Sequence, residues 1–125
     1  MKDLGWTVAS ISLVESSAGL YRINLETKDL GLFQVNAKTT YRTLGITNYY
    51  KKMKIAEKII YDDILGAYVA MSVLEYFKKY HKGDWRKMVA SYNAGFNVKR
   101  GEKYMLKVVE KVKTLKKCMY VPNKG

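Results

Sequence analysis

A chain of 125 residues is the size of one ordinary domain, and 48% hydrophobic residues with a single proline exclude a disordered or proline-rich linker protein. One cysteine, Cys118, excludes an internal disulfide; no Cys/His cluster suggests a metal centre, and no cofactor is expected. The net charge of +12 predicts attraction to polyanions such as nucleic acid, anionic lipid or acidic wall polymers, without choosing among them. One domain spanning residues 1–125 is expected, mainly α-helical. The opening Met-Lys-Asp-Leu-Gly-Trp leads into no apolar core with a cleavage site, so no signal peptide is expected in this chain.

In chain order, Asp3 to Glu15 reads as a first helix. Trp6, Val8, Ala9, Ile11, Leu13 and Val14 put apolar groups on nearly every side of it, which predicts a mostly buried element. Ser16-Ser17-Ala18-Gly19 stops it, with Gly19 suited to a left-handed end. Residues 20–33 look irregular, with room for a small β element or short hairpin. Asn36 can cap a helix to about Thr43, ended by Gly45. Tyr49 to Lys54 reads as a polar, aromatic link, and a helical stretch starts near Ile55.

Asp62 or Asp63 can cap a long helix to Tyr80. Its run Ile64 to Met71 is too apolar for a surface helix and predicts the central buried one. The run Ile64 to Phe77 is too short to span a bilayer and contains Glu75, so no transmembrane segment is expected. His81 lies in a Lys-rich stretch and reads as solvated. Asp84 can cap a helix from Trp85 to about Ala94, ended by Gly95. A last helix runs from about Arg100 to Cys118, with Tyr104, Val108, Val112, Leu115 and Met119 as its apolar stripe and Lys103, Lys107 and Lys111 on another face.

Glu15 is the residue that stands out. It leaves a nearly all-apolar helix into a Ser-Ser-Ala-Gly break. Apolar surroundings raise a carboxyl pKa, and a carboxylic acid still protonated near neutrality is what glycosidic cleavage needs to protonate the leaving oxygen. Position alone leaves a second reading open, in which the carboxylate sits in water at a helix end.

Three segments shift the balance: Glu15-Ser16-Ser17-Ala18-Gly19, Gly31-Leu32-Phe33-Gln34-Val35-Asn36 and Ser91-Tyr92-Asn93-Ala94-Gly95. Together they resemble lytic transglycosylases of the goose-type lysozyme (SLT-like) superfamily. That family shows Glu-Ser, then Gly-Leu-Met-Gln, then Ala-Tyr-Asn-Ala-Gly, then a tyrosine in a C-terminal helix, for which Tyr104 is the match. The resemblance covers roughly residues 6 to 117, and the short gap between Asn93 and Tyr104 is most like compact secretion-system, pilus and phage members.

The resemblance implies a lysozyme-like helical fold with a groove for alternating N-acetylglucosamine and N-acetylmuramic acid. It implies Glu15 as catalytic acid and then base. Ser16 would orient substrate or acid, Gln34 would contact a sugar amide or hydroxyl, and Phe33, in the usual methionine position, would press on a sugar face. Gly31 and Leu32 would complete that substrate-binding segment. Tyr92 and Asn93 would line the groove, and Tyr104 would hydrogen-bond near Glu15. Independently of the family, amides such as Gln34 and Asn93 offer the donors and acceptors that N-acetyl groups need, and aromatic rings suit the apolar faces of sugars. For Phe33, Tyr92 and Tyr104, core packing is the competing reading.

Direct hydrolysis usually needs a second carboxylate. The goose-type lysozymes commonly place one after Gly-Leu-Met-Gln-Val, where this chain has Asn36, an amide. Glu26 and Asp29 in the nearby loop could substitute, and Glu102 could assist from the last helix. The expected reaction is therefore a lytic transglycosylase's, giving 1,6-anhydromuramic ends. A hydrolytic lysozyme or endolysin using Glu15 with Glu26 or Asp29, and a non-catalytic wall-binding module, are the alternatives. No helix-turn-helix, zinc finger or base-reading basic stripe supports specific nucleic-acid binding. The expected partner is peptidoglycan, met by a monomer whose charge favours anionic wall or membrane surfaces. Action on the periplasmic or extracellular wall would follow phage lysis, delivery by a virion, or removal of a leader.

Overall fold

The computed structural model describes residues 4–17 and 19–119. The order is α1 (Leu4–Ser16), β1 (Ile23–Asn24), β2 (Asp29–Leu30), β3 (Val35–Asn36), α2 (Ala37–Leu44), α3 (Tyr49–Tyr61), α4 (Asp63–Tyr80), α5 (Trp85–Ala94), a 3-10 turn (Val98–Gly101) and α6 (Glu102–Met119). The fold is mainly helical with a small β element, as the sequence predicts. The strands pair antiparallel in the order β1-β2-β3, with Asn24 opposite Asp29 and Asp29 opposite Asn36. Asp3 and Ala18, placed in the first helix and its stop by the sequence, lie outside the described residues.

Most helix ends follow local capping chemistry. The side chains of Asn36, Asp62 and Asp84 accept from the backbone N–H three residues on, at Thr39, Leu65 and Lys87. Gly45 closes α2 with a left-handed φ of 67°. The expected link Tyr49 to Lys54 is instead the first half of α3. Asn48, which the sequence reading passed over, accepts from the Lys51 N–H and starts the helix six residues early.

The core gathers Ile11 of α1, Phe33 and Val35 of the hairpin region, Ile59 of α3, Val69 and Leu74 of α4, Val89 of α5 and Tyr104 and Val108 of α6. Two expectations about burial are corrected. On α1 the buried face is Leu4, Thr7, Ser10, Ile11, Ser12 and Ser16; Trp6, Val8, Leu13 and Val14 are half-buried and Ala9 is exposed. α1 packs against α6, and the buried hydroxyls of Thr7 and Ser16 find partners elsewhere: Thr7 accepts from Trp85 Nε1 of α5 at 2.9 Å, and Ser16 donates to the Leu32 carbonyl. The central helix α4 is buried on one side only, through Gly66, Val69, Ala70, Leu74 and Phe77, while Ile64, Tyr68 and Met71 face outward. On α6, Val112 and Leu115 are half-buried, and the Met119 side chain lies outside the described residues.

Gly101 sets the seat of α6: a Cβ there would collide with the Ala90 carbonyl oxygen of α5. His81 is also not the solvated residue expected. Its Nε2 lies 2.7 Å from the Oγ of buried Ser91, and its ring stacks on Phe77. The Gly83 turn folds α5 back onto α4, which brings the Ser91 hydroxyl to the His81 ring. Among the described residues, no helix is long and apolar enough to cross a membrane, and no three His, Cys, Asp or Glu side chains group as metal ligands.

Candidate active site

Glu15 is delivered by the way α1 ends. Ser17 takes a left-handed φ of 51°, and the Ser16 carbonyl accepts from the N–H groups of Gly19 (3.1 Å) and Tyr21 (3.0 Å). The Ser16 hydroxyl donates to the Leu32 carbonyl at 2.6 Å and accepts from Gly19 N–H at 3.0 Å. This oxygen is wholly buried, so of the two roles expected of Ser16, orienting substrate or acid, its position fits the second. It ties the last turn of α1 to the loop between β2 and β3, and so holds Glu15 against that loop.

The loop is built on Gly31 and Gln34. Gly31 has φ 81°, and a Cβ there would lie 2.5 Å from the Ile59 carbonyl oxygen. Gln34 also takes a left-handed φ, 48°, which costs a non-glycine residue about 1 kcal/mol or more. Its Nε2 donates to the carbonyls of Gly31 (2.9 Å) and Tyr21 (3.3 Å). Phe33 points the other way. Its ring is buried in the core, close enough to Gly66 that an added Cβ would meet its Cδ2 at 3.3 Å. The expected contact of Phe33 with a sugar is therefore corrected: the ring anchors the loop, and its carbonyl accepts from the Tyr92 hydroxyl at 2.8 Å. Gly31 is buried and Leu32 packs against the core, so both shape the loop from behind.

These elements enclose a cleft of about 450 Å³ lined by Glu15, Thr27, Asp29, Gln34, Val35, Asn36, Val73, Tyr92, Asn93, Ala94, Gly95 and Arg100. Of the residues the sequence singled out, Glu15, Gln34, Tyr92, Asn93 and Asp29 meet there. Glu26 does not. It sits in an exposed turn whose Asn24 Oδ1 accepts from the N–H groups of Glu26 and Thr27, and Thr27 rather than Glu26 lines the cleft. Glu102 is exposed at the start of α6 and also lies outside.

Sequence reasoning missed Arg100. One basic residue among 23 carries no local signal, and only the 3-10 turn, where Asn97 Oδ1 accepts from the Arg100 N–H, brings it to the cleft. Asn36 was read as an amide standing where the lysozymes keep a carboxylate. Its Nδ2 donates to Asp29 Oδ1 at 3.4 Å across the β2–β3 pair.

Electrostatics single out Glu15. Burial lifts its pKa from 4.5 to about 7, the Tyr104 hydroxyl acting as donor lowers it in part, and the charge on Asp29 adds a smaller rise. Tyr104 faces Glu15 from α6. Its hydroxyl is buried and, among the described residues, short of full hydrogen-bond geometry with any group, Glu15 included. Burial and the Glu15 charge push both Tyr92 and Tyr104 well above the usual phenol range, so both remain donors at any physiological pH. A carboxyl that titrates near neutrality, in a cleft lined by three amides, has the acid–base range that glycosidic chemistry uses.

A mainly helical fold with a small three-stranded antiparallel sheet is of the lysozyme-like class. The chain belongs to the Transglycosylase SLT domain family, whose model matches residues 6–114. It is similar to the "uncharacterized 20.7 kDa protein in vs-regB intergenic region" of Enterobacteria phage T4, with 35% identity over 117 residues, 90% of this chain. The chain spans 63% of the length of that relative. No solved structure matches it.

Proposed function

We propose that this protein is a peptidoglycan lytic transglycosylase that cleaves the β-1,4 bond between N-acetylmuramic acid and N-acetylglucosamine. The observation that carries the reading is the Glu15 carboxyl, with a pKa of about 7, opening on a cleft lined by Gln34, Asn36 and Asn93. Glu15 protonates the leaving oxygen while the acetamido oxygen of muramic acid attacks the anomeric carbon. Glu15, now a carboxylate, then takes the proton of the C6 hydroxyl as that oxygen closes onto C1 and displaces the acetamido oxygen. The product is a 1,6-anhydromuramic end, no water is consumed, and Glu15 is restored as the acid. One carboxyl serves as acid and then base. The Tyr104 hydroxyl steadies Glu15 in its charged state, and Asn93 and the Gln34 amide oxygen hold N-acetyl groups. Arg100, a cation at the cleft, meets the carboxylates of the muramic lactyl group or peptide stem.

One observation favours a second reading. Asp29 shares the cleft with Glu15 and is the second carboxylate that a hydrolytic lysozyme requires. Mass spectrometry of digested peptidoglycan separates the two. Anhydro-muropeptides are expected. Reducing muropeptides, one water heavier, would assign hydrolysis and make Asp29 the base. No glycan product from folded protein would leave a wall-binding module and remove the enzymatic reading. The similarity to a phage protein supports a phage-type role in wall degradation, reached by lysis or by virion delivery, and the basic charge supports attraction to the acidic wall.

A further inference from the structure

Beyond the cleft stand three half-exposed aromatic rings that the mechanism does not use. Val73 lines the cleft from α4, and Tyr76 and Tyr80 follow it at i+3 and i+7, on the same side of that helix. Gly95 lines the cleft from the end of α5, and Phe96 is the next residue. The two rows converge: the Phe96 ring centroid lies 6.3 Å from that of Tyr76 and 5.0 Å from that of Tyr80, both edge-to-face. The core face of Phe77 backs the group, 5.4 Å from Phe96. The rings are nevertheless 56% (Tyr76), 56% (Tyr80) and 61% (Phe96) exposed. Contiguous aromatic surface left in water marks a binding surface more often than chance, and ring faces suit the apolar faces of pyranose sugars.

We infer that Tyr76, Tyr80 and Phe96 form a sugar-stacking shelf that extends the cleft and takes saccharides of the same glycan strand several units from the cleaved bond. The inference rests on the reading of the cleft as a glycan site. Continuity names the occupant: a strand leaving the cleft past Val73 and Gly95 runs onto these rings. The shelf makes the enzyme favour long strands, because only they reach it. Binding energy gathered there lowers KM without touching the chemistry at Glu15.

The test uses two substrates, long purified glycan strands and a tetrasaccharide. Against long strands, Tyr76→Ala and Phe96→Ala are each expected to raise KM about 3- to 10-fold, the range a lost ring–ligand stack gives. The kcat, and both constants for the tetrasaccharide, should hold. Tyr80→Leu, which keeps apolar packing and removes the aromatic face, should behave in the same way, and thermal melts on all three variants report whether the fold is intact. Equal KM for both substrates in the wild-type protein, or an equal loss on both in a folded variant, would overturn the shelf while leaving the cleft reading in place. Failure of the inactive Glu15→Gln protein to bind any glycan strand would instead remove the cleft reading and the shelf with it.

Discussion

The two walls of the cleft carry one carboxyl each and treat it differently. On the helical wall, where α1 packs against α6, desolvation raises the pKa of half-buried Glu15 to about 7. The hairpin wall sets Asp29 on a two-residue strand, half-buried, beside the Asn36 amide. The surroundings of a carboxyl, more than its chemical identity, decide the acid–base work it can do.

The largest test of that contrast is Glu15→Gln. Loss of the acid should cost on the order of 1,000-fold or more in turnover, measured as released muropeptide. The same substitution has a stability signature with a definite sign. In the folded chain Glu15 holds its proton up to a pH of about 7, but an unfolded chain releases it near 4.5. Native stability from this group is therefore full below about pH 4.5 and falls as pH rises through about 7, by up to roughly 3 kcal/mol. Glu15→Gln should melt higher than the wild-type protein near pH 8 and no higher near pH 4. A gain equal at both pH values would mean that the Glu15 pKa is not raised on folding.

Tyr104→Phe probes the helical wall more gently. The hydroxyl lowers the Glu15 pKa, so its removal should move the alkaline limb of kcat/KM to higher pH and reduce the rate about 10-fold. Because the hydroxyl lacks a full partner among the described residues, its loss should leave folding stability within about 1 kcal/mol. An unshifted limb would detach Tyr104 from Glu15.

The smallest effect is expected on the hairpin wall. The charge on Asp29 adds only a minor rise to Glu15, so Asp29→Asn should shift the limb slightly to lower pH. The rate should stay within about 3-fold and the products should remain anhydro-muropeptides. A 100-fold loss (about 2.7 kcal/mol) would give the two walls equal catalytic weight and transfer the base to Asp29.

Much of this was legible before any coordinates. Glu15, Gln34, Tyr92 and Asn93 lie in segments whose composition and order carry the family resemblance, and they meet in one cleft. Phe33 and Ser16 belong to the same segments but face the other way. Motif membership names residues that shape a site, and only the φ of Gln34 and the Ser16–Leu32 hydrogen bond reveal which of them look inward. Arg100 could not be read at all, because a cation at a cleft has the same local sequence context as a cation on a solvated helix.

Local chemistry in the chain by itself determined where α2, α4 and α5 begin, since Asn36, Asp62 and Asp84 act on backbone groups three residues away. Its apolar pattern determined that the fold would be mainly helical. Tertiary structure alone decided which flank of α1 and of α4 is buried, which residues of each motif reach the cleft, and how far Glu15 is withdrawn from water. Desolvation and Coulomb energy depend on distances between groups far apart in sequence, and periodicity along one helix does not contain those distances.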